Sequence, residues 1–324
     1  MTSSLPYKTK QFFFVLIKLS IVVGAFYFIY NKIVNNNDIS FSTFIDFLLK
    51  NESFSIKNVA FLILLSVFNW FFEILKWQHL VGFVKKINFK NALEQSLGAL
   101  TASLITPNRI GDYGAKAIYY STKYRKRIIL INLLSNLLQM SATLIFGAIG
   151  FSFFIIEYDP NLNYYKLTRF LVIALLIISL IGFGITKKNF TIKGFSIEKI
   201  KKFLYGYPKT KLLLGFMFSI MRYAVFSFQF YFLLRLFDVE ISYLNSMIVI
   251  TSIYLLASII PSIFVFDVII KGSIAVYLFA YLGISEFIIL SVVTIMWILN
   301  FVLPSFFGSY YVLNFNLPKN SDPT

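Results

Sequence analysis

The chain has no cysteine and one histidine, His79. Disulfides, thiolate metal sites and cysteine nucleophiles are therefore excluded, and a metal site or an acid–base relay built on several histidines has nothing to draw on. Charge is scarce too, at 14% of residues, and acidic charge most of all, with 14 Asp and Glu against 30 Lys and Arg. A soluble domain usually has about a quarter of its residues charged. Apolar residues are plentiful at 58%, and they fall into runs of about 20, the length that crosses a hydrocarbon core of about 30 Å. Short alternating strands are missing, which argues against a membrane barrel. The composition predicts an all-α polytopic membrane protein.

A net charge of +16 would suggest a nucleic-acid partner in a soluble protein. In a membrane protein it points to basic cytoplasmic loops lying against anionic headgroups, and no nucleic acid is expected. There is no P-loop, nucleophile elbow, paired-carboxylate motif or metal-ligand spacing, so no catalytic residue, metal or cofactor is assigned.

Six full spans are expected, at residues 11–30, 59–83, 128–156, 169–186, 212–237 and 286–312. Residues 92–120 and 246–282 differ. Each holds two half-length apolar runs interrupted at a proline, Pro107 in the first and Pro261 in the second. Read as re-entrant hairpins that return to the side they entered, they place the N-terminus and the basic stretches at 85–90, 123–127 and 187–211 in the cytoplasm, with the tail. Those segments hold 18 of the 30 Lys and Arg residues, a positive-inside bias. A single crossing by residues 92–120 would put the 85–90 and 123–127 clusters on opposite faces.

The two interrupted segments resemble each other. ASLITPNRIGDYGAKAIYY, from Ala102, and ASIIPSIFVFDVIIKGSIA, from Ala257, share Ala-Ser at the start, then Asp, then Lys four residues later. The pairs are Asp112 with Lys116 and Asp267 with Lys271. With the flanking spans they form repeat one, 59–156, and repeat two, 212–312, whose hairpins dip from opposite faces. The remainder of the single transmembrane domain is 1–58, 157–211 and the tail 313–324. Inverted repeats with broken helices meeting at the midplane are where transporters build their binding sites.

Half-helix N-termini present free N–H groups to an anion, and Arg109 adds a bidentate fork for phosphate oxygens. Pro107, Gly111 and Pro261 break the helices. Asp112 and Lys116, with Asp267 and Lys271 opposite, either cap and neutralise their own helices or line a ligand cavity. Ionisable groups inside a bilayer mark function. Glu73 and Lys76 lie one turn apart and suit a pair, while Arg222 suits either a substrate contact or a carboxylate partner. Gln95, Asn132, Asn136, Gln139 and Asn300 suit hydrogen bonds between helices.

From Ser96 to Tyr120, SLGALTASLITPNRIGDYGAKAIYY resembles the family of lysylphosphatidylglycerol synthase transmembrane regions, a flippase-like membrane domain. Asp112 stands where that family usually has Glu, and Lys116 near its usual Arg. The glycine-rich block that commonly follows the second proline is replaced by SIFVFDVIIKG. The resemblance implies a lipid-handling protein of the bacterial cytoplasmic membrane, with Arg109, Asp112, Lys116, Asp267, Lys271, Arg222 and Glu73 around an anionic phospholipid headgroup. Bifunctional members carry an aminoacyl-transferring domain after this region, and these 324 residues have none, so that synthesis is not carried over. Alternative expectations are a membrane enzyme, or an accessory subunit that partners an enzyme of lipid or polyprenyl-linked glycan synthesis.

Overall fold

The computed structural model describes residues 54–104, 106, 110–160, 191–192, 195–259 and 264–316, together with Val23 and Tyr27; the side chains of 110, 191–200 and 264–269 are outside the description. The expected spans at 11–30 and 169–186 therefore lie outside the described residues, apart from Val23 and Tyr27, both helical.

The helices are α1 (Ile56–Val81), α2 (Phe89–Ser103), α3 (Ile110–Ile118), α4 (Thr122–Tyr158), α5 (Ile197–Tyr205), α6 (Lys209–Leu236), α7 (Tyr243–Ile259), α8 (Phe264–Ala280), α9 (Glu286–Trp297) and α10 (Leu303–Asn314). A π-turn, Ile298–Val302, joins α9 to α10, and a two-residue ribbon, Thr191–Ile192 with Phe195–Ser196, precedes α5. Four described segments are long and apolar enough to cross a membrane: α1, α4, α6 and the continuous Glu286–Asn314. They match four of the six expected spans. The outer surface is apolar, with Leu64, Leu144, Ile149 and Phe307 exposed, while Asn69, Lys76, Asn132 and Gln229 are buried. That inside-out distribution suits a hydrocarbon solvent.

Local signals set the half-helices. Asn88 caps α2 by accepting from the Asn91 backbone N–H at 2.8 Å, so the helix begins three residues before the apolar run. Thr106 holds the start of α3, its hydroxyl accepting from Gly111 N–H at 2.9 Å. A Cβ on Gly111 would collide with the Ala102 carbonyl and with Thr106, which is why glycine stands there. Further along, Gly98 faces the Tyr119 hydroxyl, and Tyr120 donates to Gln95 at 2.8 Å. Rising numbers on α3 thus meet falling numbers on α2, so the two form an antiparallel hairpin. α7 and α8 also pack together across the connection 260–263.

At the centre α1 lies on α6. Lys211 donates to the His79 carbonyl, Arg222 to Glu73 and Gln229 to the Leu62 carbonyl, an antiparallel register. Around this pair the partners cross over. α10 packs on α2, with Gly308 against Leu97 and Thr101, and α4 packs on α7, with Gly147 against Leu255 and Gly150 against Thr251. Small residues let helix backbones approach where lipid provides no hydrophobic drive. Two cores result, one around Trp77, Leu100 and Ile131, the other around Leu233, Ile250 and Phe279. Just outside the spans, Tyr207 donates to the Leu80 carbonyl at 2.6 Å, and burial pushes its phenol pKa up, so it remains a donor.

Candidate functional site

Asn69, Glu73 and Lys76 follow i, i+4, i+7 spacing and so share one face of α1. Glu73 takes Lys76 at 2.8 Å and Arg222, from α6, at 2.7 Å. The Arg222 Nε donates to Asn69 at 3.1 Å, and Asn69 donates to Asn300 at 2.7 Å. Asn300 in turn donates to Gln229 at 2.9 Å. Lys76 also donates to Gln139 of α4 at 3.3 Å. The expected Glu73–Lys76 pair is formed, and Arg222 is the carboxylate's second partner.

In the first hairpin, Lys116 lies 3.4 Å from Asp112. Asn132 of α4 reads both members, donating to Asp112 at 2.6 Å and accepting from Lys116 at 2.9 Å. Among the described residues, Thr106 accepts the Gly111 N–H at the start of α3, and the Asp112 carboxylate turns toward α4. The Lys116 ammonium sits 4.5 Å from the Trp77 ring, a cation–π contact, and Trp77 donates to Gln95 at 2.8 Å. Asn136 donates to Tyr113 at 3.0 Å.

These two clusters face a common cavity of about 280 Å³ walled by Glu73, Arg222, Asp112, Lys116, Trp70, Ser96, Tyr113 and Asn136. Among the described residues, the Ser96 hydroxyl is buried with no hydrogen-bond partner. A buried polar atom left this way is poised for a ligand or water. Lys116 and Arg222 stand at this wall beside Asp112 and Glu73, and Lys76 backs Glu73 from behind it. A second cavity, of about 270 Å³, adjoins α7 and α8 and is lined by Lys271, Ser258, Tyr254, Asn300 and Phe301 among others. Arg222 lines both cavities. The arrangement suits an anion presented within a membrane.

Lys271 also lies 5.9 Å from the Phe301 ring. Of the other expected site residues, Arg109, Pro107 and Pro261 lie outside the described residues, and Asp267 falls in α8 with its side chain undescribed. Among the described residues no three His, Asp or Glu side chains gather as metal ligands.

The sequence matches the family described as lysylphosphatidylglycerol synthase TM region over residues 15–308. The chain belongs to that family. Curated proteins provide no match. The region matched to the lysylphosphatidylglycerol synthase TM family includes α2, α3, α7 and α8 and every residue of the two cavity walls. It makes the chain an integral membrane protein with a multi-pass helical domain.

Several wall residues of this family member were not among those singled out from sequence. Trp70 and Asn69 lie three and four residues before Glu73, and that shared helix face was a readable signal. Ser96, Tyr113 and Tyr254 carried none, since a lone hydroxyl in an apolar run is most often bonded to its own helix.

Proposed function

We propose that this chain binds a phospholipid by its anionic headgroup in the cavity between α1, α3, α4 and α6 and moves it between the leaflets of the bacterial cytoplasmic membrane. The observation that carries this reading is the cavity itself, where two ion-paired clusters bring Arg222 and Lys116 to one wall beside the unpartnered Ser96 hydroxyl. Arg supplies a planar fork for phosphate oxygens, and Lys a mobile point charge. Arg109 and, from the second hairpin, Asp267 and Lys271 complete the proposed site.

In the same reading the two halves are inverted repeats and each hairpin is re-entrant. Support comes from the antiparallel register of α1 on α6, from the crossed packing of α10 on α2 and α7 on α4, and from the antiparallel fold of α2 on α3. The first hairpin brings the basic ends at Lys85–Lys86 and Lys123–Arg127 toward one side, and the positive-inside bias makes that side cytoplasmic, with the N-terminus.

The test is leaflet exchange of fluorescent phosphatidylglycerol in vesicles holding the purified chain, read by bleaching the outer leaflet. Wild type is expected to exceed empty vesicles. Lys116→Gln and Arg222→Gln each remove one charge-assisted contact and are expected to slow exchange by about tenfold to a hundredfold. Exchange no faster than in empty vesicles would sink the proposal.

A further inference from the structure

The polar cavity has an apolar neighbour. On the far side of Trp70, α1, α2 and the last span part to leave a groove of about 500 Å³ whose walls include Ile63, Val67, Phe71, Leu93, Leu303 and Phe307. The Ser66 hydroxyl there is already engaged, donating to the Leu299 carbonyl at 2.5 Å. Val67, Phe71, Leu303 and Phe307 are exposed, so the groove opens toward whatever surrounds the helices. For a membrane-spanning chain that surrounding is hydrocarbon.

Trp70 belongs to both walls. Its indole N–H is fixed on the Asn300 carbonyl at 3.0 Å, and the Arg222 guanidinium lies 5.8 Å from its ring. One side chain therefore separates a compartment of charges from a compartment of hydrocarbon side chains. A phospholipid is a molecule with those two halves covalently joined, and it matches both compartments at once.

We propose that the groove seats one acyl chain of the phospholipid whose anionic headgroup occupies the polar cavity, so that the lipid straddles Trp70. The inference rests on the function proposed above and adds a place for the tail. A lipid held at both ends gains from the second contact as an intramolecular event, and chain and headgroup occupancy become coupled.

Photolabelling tests this. Phosphatidylglycerol carrying a diazirine in one acyl chain is reconstituted with the full chain in phosphatidylcholine vesicles and irradiated, and labelled peptides are mapped by mass spectrometry. Labelling of Val67, Leu93 and Leu303 is expected to exceed that of Leu144, Ile149 and Phe153 on the exposed face of α4 by about tenfold, the ratio given by a preference of about 1.4 kcal/mol. Val67→Trp, at an exposed position, is expected to abolish the excess in protein that still elutes as one species. Equal labelling of groove and α4 in wild type means bulk lipid only and overturns the proposal. Diacylglycerol with the same photoreactive chain separates the two readings. Loss of the groove preference with diacylglycerol, and in Lys116→Gln, supports the coupled site. A preference unchanged by either refutes the coupling to an anionic headgroup and overturns the straddled lipid, while the function proposed above stands or falls on leaflet exchange.

Discussion

Trp70 donates its indole N–H to the carbonyl of Asn300, 230 residues along the chain, at the turn where Pro304 has no N–H to give. The neighbouring Leu299 carbonyl is served in the same way by Ser66. α1 thus supplies, from one face, donors to two carbonyls of the last span where Pro304 removes one N–H, and the π-turn Ile298–Val302 sits where the two meet.

Replacing Trp70 by Phe keeps an aromatic wall and deletes the donor. The expected cost is about 0.6–2 kcal/mol, the range for hydrogen bonds between membrane helices. In a Pro304→Ala background, where a backbone N–H is restored, the same change is expected to cost less. Unfolding of the four proteins in detergent, analysed as a double-mutant cycle, measures the difference.

Glu73 is the shared counter-charge of Lys76 and Arg222. Glu73→Gln leaves the buried Lys76 and the part-buried Arg222 without their shared carboxylate, and a loss of up to about 3–5 kcal/mol is expected from breaking a buried pair on one side. Adding Arg222→Gln removes the excess charge and is expected to restore part of that stability. Loss of cooperative unfolding in the single variant, and its return in the double variant, is the readout.

Asn132 holds both Asp112 and Lys116. Asn132→Leu keeps the volume and removes both contacts. Stability is expected to fall by about 1–3 kcal/mol, since a carboxylate and an ammonium lose partners in a buried site. On the proposed function, leaflet exchange falls more steeply than the folded fraction does, which side-by-side exchange and melting measurements reveal.

Gly308 lies against the Leu97 carbonyl and the Thr101 hydroxyl, whereas Gly114 has open space where a Cβ would go. Gly308→Ala is expected to destabilise by about 1–3 kcal/mol through forced separation of α10 from α2. Gly114→Ala should be neutral to slightly stabilising, because alanine is the better helix former by about 1 kcal/mol. Thermal midpoints of the two variants test the pair.

Re-entrance of the first hairpin has its own measurement. Cysteines placed at Lys86 and Lys126 are expected to react with an impermeant maleimide from the same, cytoplasmic, face. Reaction from opposite faces would mean that residues 92–120 cross the membrane once.

The long helices were legible because each is one apolar run of about membrane thickness, and the Glu73–Lys76 pair because its partners are one turn apart on one helix. Spacing cannot show what depends on register between distant elements. Arg222 finds Glu73 across 149 positions, and Asn69 finds Asn300 across 231, only because α1 lies antiparallel on α6 with the last span against both. Trp70 looked like any aromatic residue in a lipid-facing run. Its partner is decided by Pro304, a residue whose effect is felt one turn earlier and on another helix. That the Asp112 carboxylate meets Asn132 depends in the same way on where α4 lies against α3.

Arg222 borders both polar cavities. On the proposed function, an anionic group passing from one chamber to the other keeps the same guanidinium within reach throughout. It exchanges no counter-ion on the way, and so meets no point at which a bare charge stands in low dielectric, where the penalty is several kcal/mol. For that step, the room the side chains leave between the chambers becomes the barrier.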